Sequence, residues 1–129
     1  MSQPLRLTVA AAAVLVVAAA FAISALARPE ASATKLIGVV GKNDAYKITL
    51  TTSAGRLVKT LKPGTYTLVI HDDSAIHNYE LDGPHGKSWT FTSVPFKGTK
   101  TMTIKFAAGP YKAYCSAHES EMFQHFKVS

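Results

Sequence analysis

Beyond residue 34 the apolar positions recur on a short period. Brief runs rich in Thr, Val, Ile, Tyr and Phe are separated by Gly, Pro, Asn and Asp, and no stretch repeats its apolar residues at helical spacing. This pattern predicts strands at 35–40, 46–51, 56–61, 65–71, 76–81, 88–92, 99–106, 110–115 and 122–128. Turn chemistry lies between them, as in GKNDA at 41–45, KPGT at 62–65, DGPHG at 82–86 and AAGP at 107–110. Many short, evenly spaced strands with such punctuation predict an all-β sandwich or barrel.

The N-terminal segment has a different character. Residues 7–27, LTVAAAAVLVVAAAFAISALA, carry no charge and lie between Arg6 and Arg28. A basic start, an apolar middle and the small-residue triplets Ala25-Leu26-Ala27 and Ala31-Ser32-Ala33 fit a cleaved signal peptide. The run also reaches the ~20 residues that span a bilayer as a helix, so an uncleaved membrane anchor is the other reading. Under either, Arg6 stays cytoplasmic and the rest of the chain is exported. The expected organisation is a signal peptide or anchor with a short linker over 1–33, and one domain over 34–129.

Charge narrows the partners. Twelve basic and seven acidic residues from Thr34 onward leave a net charge of +5. The lysines are scattered rather than clustered, which predicts a solvated basic surface suited to an acidic protein partner and argues against nucleic acid.

The chemistry concentrates in YCSAHESEM, residues 114–122, which holds the chain's only cysteine. Small exported domains commonly pair their cysteines, so Cys115 is an inert buried thiol, an intermolecular bridge or a metal ligand. Strand alternation puts His77 on the face of Tyr79 and Leu81, Cys115 on that of Tyr111 and Ala113, and Met122 on that of Phe126 and Val128. Taken singly, each has a bland reading: a satisfied strand histidine, a small buried hydrophobe, a core methionine. Taken together, one thiolate, two imidazoles (His77 and His118) and a thioether match trigonal His₂Cys copper with a weak axial Met. His71, His85 and His125 lack such company, and His85 and His125 are expected to face solvent. Asp72-Asp73 and Glu119/Glu121 read as turn formers and surface charges. A Cys-His hydrolase would need an oriented base and an oxyanion hole, and structural zinc favours four strong ligands; neither fits, and no enzyme is expected.

Two longer stretches extend the match. KPGTYTLVIHDDSAIHNYEL at 62–81 and GPYKAYCSAHESEMFQHFKV at 109–128 resemble the cupredoxins, the blue copper proteins, over most of residues 45–128. The resemblance implies a Greek-key β-sandwich with one type 1 copper. It further implies His77, Cys115 and His118 as strong ligands, Met122 as the axial one, and Asn78 joining the ligand loops by hydrogen bonds. It implies a monomeric electron carrier in the periplasm, at the outer face of the cytoplasmic membrane or secreted, exchanging electrons with redox partner proteins. Copper carriage or storage, or an accessory cupredoxin-like domain, without redox cycling is the alternative. The chain departs from the family's habit at Ala113, where an aromatic is frequent, and at Gln124, where a glycine is frequent.

Overall fold

A computed structural model describes residues 32–129. The apolar run at 7–27, expected to direct export or anchor the chain, lies outside the described residues. Among the described residues no helix is long and apolar enough to cross a membrane.

Nine strands form two sheets: β1 (Thr34–Val40), β2 (Ile48–Thr52), β3 (Thr60–Leu61), β4 (Gly64–Asp72), β5 (Glu80–Asp82), β6 (Ser88–Thr90), β7 (Gly98–Phe106), β8 (Gly109–Tyr114) and β9 (Phe123–Val128). One sheet has the order β2-β1-β4-β7 and the other β3-β9-β8-β5-β6. Most neighbours are antiparallel, but β1 runs parallel to β4, with Val40 opposite Asp72, and β3 runs parallel to β9. The β1–β4 pairing matters for the site. It brings the loop after β1 beside the loop after β4.

The period-two pattern explains the layers. Leu36 and Val40 of β1, Leu50 of β2, and Leu68 and Ile70 of β4 turn inward, where they meet Leu81, Ala113, Phe126 and Val128 of the second sheet. Burying a side chain of this size contributes about 1.5–3 kcal/mol. Gly38 is required within β1, because a Cβ there would overlap Ile70 and the ring of Tyr79. The tyrosine uses that space to cross between the sheets and donate its hydroxyl to the Thr49 carbonyl at 3.1 Å. The edge strand β7 carries exposed Lys100 and Lys105, which discourage pairing with another chain.

The all-β sandwich expected from the sequence is present, with three local corrections. The strand expected at 76–81 begins only at Glu80, so His77 sits in a loop and not on a strand. The run at 56–61 pairs only through Thr60–Leu61 and an isolated bridge from Leu57 to Thr51. Asp72, expected as an exposed turn former, is the buried last residue of β4. Gln124 also acquires a function in the fold. Its Oε1 accepts from Leu50 N–H at 2.7 Å, and its Nε2 donates to the carbonyls of Leu50 and Val58 at 3.1 and 2.8 Å, so one side chain ties β9 to the opposite sheet.

Burial gives the fold an alkaline limit. Desolvation pushes the Tyr79, Tyr111 and Tyr114 phenols above their usual value, and the Glu80 carboxylate adds to the effect at Tyr114. A group whose folded pKa is raised leaves stability unchanged below its unfolded pKa, about 10 for tyrosine, and costs stability as pH rises past it. An alkaline titration should therefore show these three phenolates appearing only as the far-ultraviolet dichroism is lost. Ionisation of all five tyrosines near pH 10 with the dichroism intact would contradict this burial.

Candidate metal centre

Two loops carry the candidate residues. After β4 the chain turns at Ala75–Ile76 and presents His77, whose amide N–H donates to the Ser74 carbonyl at 3.4 Å. After β8 it runs through Cys115 into a single 3-10 turn, Ser116–His118. There His118 N–H donates to Cys115 O at 3.1 Å, Met122 N–H to His118 O at 2.9 Å, and Cys115 N–H to Met122 O at 3.1 Å. These bonds close residues 115–122 into a compact loop, which turns His118 back toward Cys115.

The structure brings His77, Cys115 and His118 together. The two Nδ1 atoms approach to 3.0 Å, and Cys115 Sγ lies 3.9 Å from His77 Nδ1 and 3.7 Å from His118 Nδ1. The centre of that triangle is about 2.1 Å from every donor, within the ~2.0–2.3 Å of first-row metal bonds to imidazole and thiolate. Cys115 and His77 are fully buried and His118 is half-buried. Soft thiolate with two imidazoles in a trigonal set is a donor set for copper, and the group fits one type 1 copper ion. Met122 is buried on the same closed loop. His71, His85 and His125 do not join the group: His71 Nδ1 pairs with Thr99 Oγ1 at 3.1 Å, while His85 and His125 are exposed.

Asn78 holds the two loops together. Its Oδ1 accepts from Ser116 N–H at 2.8 Å, and its Nδ2 donates to Glu80 Oε1 at 2.9 Å and Ser116 Oγ at 3.0 Å. Its own backbone N–H points at Cys115 Sγ from 3.4 Å, a contact that stabilises a thiolate. Glu80 is fixed in turn by the Tyr114 hydroxyl at 2.9 Å.

Comparison with solved structures finds rusticyanin. A methionine-to-glutamine mutant of that protein superposes with a TM-score of 0.52 at 14% identity, covering 74% of this chain and 76% of that one. Rusticyanin from Thiobacillus ferrooxidans gives 0.50 at 16%, with the same coverage. The fold is the cupredoxin fold. No family model and no curated protein sequence matches the chain. At such low identity the likeness speaks for the fold, and the donor triangle of this chain makes the separate case for copper. In this cupredoxin fold the centre lies where the loops after β1, β4 and β8 converge.

Two neighbours of the site escape sequence reasoning. Tyr46 is half exposed, and its ring meets His77 and His118 edge-on, with centroids 5.0 and 4.6 Å away. It forms an outer wall over both imidazoles. Asp72 lies behind His77; burial pushes its carboxyl above the usual range, opposed by Thr92, the Ser74 amide and the His77 charge. Tyr46 reaches the site through the pairing of β1 with β4, and Asp72 through its inward turn at the end of β4.

Replacing Asn78 with Ala removes its hydrogen bonds to Ser116 and Glu80 and loosens both loops. Urea denaturation of the metal-free protein should show a loss of about 1–3 kcal/mol, from two or three hydrogen bonds at about 1 kcal/mol each. An unchanged midpoint would mean that the loops are held by something else.

Proposed function

We propose that this chain is an exported blue copper protein, with His77, Cys115 and His118 as strong ligands, Met122 as a weak fourth, and single-electron transfer between redox partners as its work. The observation that carries the reading is the donor triangle, whose centre suits a metal without any movement of its three corners. Bound copper would supply the Cu(II)/Cu(I) couple. The protein's part is to hold the ligands in place, so that gaining or losing an electron asks for little rearrangement. The Asn78 N–H withdraws charge from Cys115 Sγ and favours the reduced form. His118, half-buried beneath the exposed Tyr46, offers the ligand edge nearest a partner. Exposed Lys42 and Lys47 flank that tyrosine in sequence and favour an acidic partner surface. Residues 1–33 would serve export or anchoring, with 34–129 as the working domain in the periplasm, at the outer face of the membrane or secreted. The chain acts as an electron carrier and not as an enzyme.

Voltammetry of the copper-loaded protein should give a reversible one-electron wave. Cys115→Ser should abolish the intense visible thiolate-to-copper band. Met122→Gln should keep the band and lower the potential, because an amide oxygen is a harder donor than a thioether. A bound copper that cannot be reduced and reoxidised reversibly would overturn electron transfer in favour of copper carriage.

A further inference from the structure

With Nδ1 of His77 directed at the donor triangle, a metal there leaves the ring's one proton on Nε2. That proton has no evident destination. Among the described residues only two buried side-chain N or O atoms lack a hydrogen-bond partner, His77 Nε2 and Asp72 Oδ2. One is a donor and the other an acceptor.

Both belong to the segment 72–77 that turns past Gly41, and they lie more than 4.0 Å apart. Gly41, at φ 67°, has no Cβ, and one built there would overlap both Ser74 and the Cδ2 of His77, the carbon bonded to Nε2. Ser74, fully buried, presents its N–H to the other oxygen of Asp72, Oδ1, at 3.2 Å. Its hydroxyl donates to Asp44 Oδ1 at 2.7 Å, which fixes the turn between Asp72 and His77. The imidazole edge bearing Nε2 therefore lies against the residue that holds Asp72. Thr92 also lies toward this carboxylate, but a carboxylate oxygen accepts two hydrogen bonds, so the threonine does not exhaust it. The χ2 torsion of aspartate is soft enough for the carboxylate to turn toward the ring.

We infer that Asp72 is a positioning residue for the metal centre, its Oδ2 accepting the Nε2–H of His77 across one water. Metal-bound histidines regularly donate their second N–H to a carboxylate or carbonyl, which fixes the ring and raises its basicity as a ligand. Asp72 does this from the end of a core strand, so the orientation of the His77 ring is tied to the first sheet as well as to its own loop. The inference rests on copper ligation through His77 Nδ1.

The test uses the ¹⁵N-labelled full chain loaded with Cu(I), which is diamagnetic. The His77 Nε2–H should appear as a downfield, slowly exchanging resonance. In Asp72→Asn it should move upfield and exchange faster, and Cu(II) affinity should fall about 10–100-fold while the visible thiolate band persists. Asp73→Asn removes the same charge from an exposed neighbour and should leave resonance and affinity as they were. The inference fails if this proton exchanges as fast as that of exposed His85 in the unsubstituted chain, a result that decides even if Asp72→Asn does not fold. It also fails if the two variants behave alike. Absence of any copper-induced shift at His77 Nδ1, together with loss of the visible band, would instead bring down the ligation reading itself.

Discussion

The site depends on one buried side chain that makes two distant loops behave as one. Asn78 and Ser116 are 38 residues apart in sequence, yet the asparagine amide and the serine backbone and hydroxyl satisfy each other. A buried amide without partners is costly, so the loops gain by meeting in a single register. That register puts His77 from one loop and Cys115 and His118 from the other at the corners of a triangle of metal dimensions. Asn78 follows His77 directly, and Ser116 follows Cys115. The clamp therefore acts next to two of the three donors, and little slack remains between it and the metal centre.

The sandwich supplies the rigidity behind that clamp. The parallel pairing of β1 with β4 carries Gly41 and Tyr46 to the His77 loop, and the antiparallel pairing of β8 with β9 closes the Cys115 loop from both ends. Gln124 links the strand that follows this loop to the opposite sheet through three hydrogen bonds. A glycine at that position could make none of them. Gln124 thus has a structural reason in this chain: it braces the C-terminal side of the Cys115 loop. At Ala113 the structure shows a fully buried small side chain opposite Leu81, with no aromatic needed to fill the layer.

Much of this was legible in the sequence, and the exceptions share a cause. Period-two alternation and turn residues marked most strands, because half-buried sheets impose that pattern locally. The group of His77, Cys115 and His118 was legible because His118 follows Cys115 at close spacing and His77 is next to an asparagine. Alternation predicted that His77 is buried, but the loop around Ser74, and not a strand face, buries it. Asp72 looked like half of an exposed Asp-Asp turn; its neighbour Asp73 is exposed, while the pleat of β4 turns Asp72 inward. Tyr46 stands 31 positions before His77 and 72 before His118 in sequence. Its place over both rings follows from strand order, which no local pattern encodes.

These features describe a centre formed by the protein itself, with the metal entering a geometry already set by hydrogen bonds. X-ray absorption on the copper-loaded protein in both oxidation states tests this most directly. The account predicts one sulfur and two nitrogens at about 2.0–2.3 Å, with the same ligands and nearly the same distances before and after reduction. A copper shell of nitrogen and oxygen alone, or one that gains or loses a strong ligand on reduction, would contradict it.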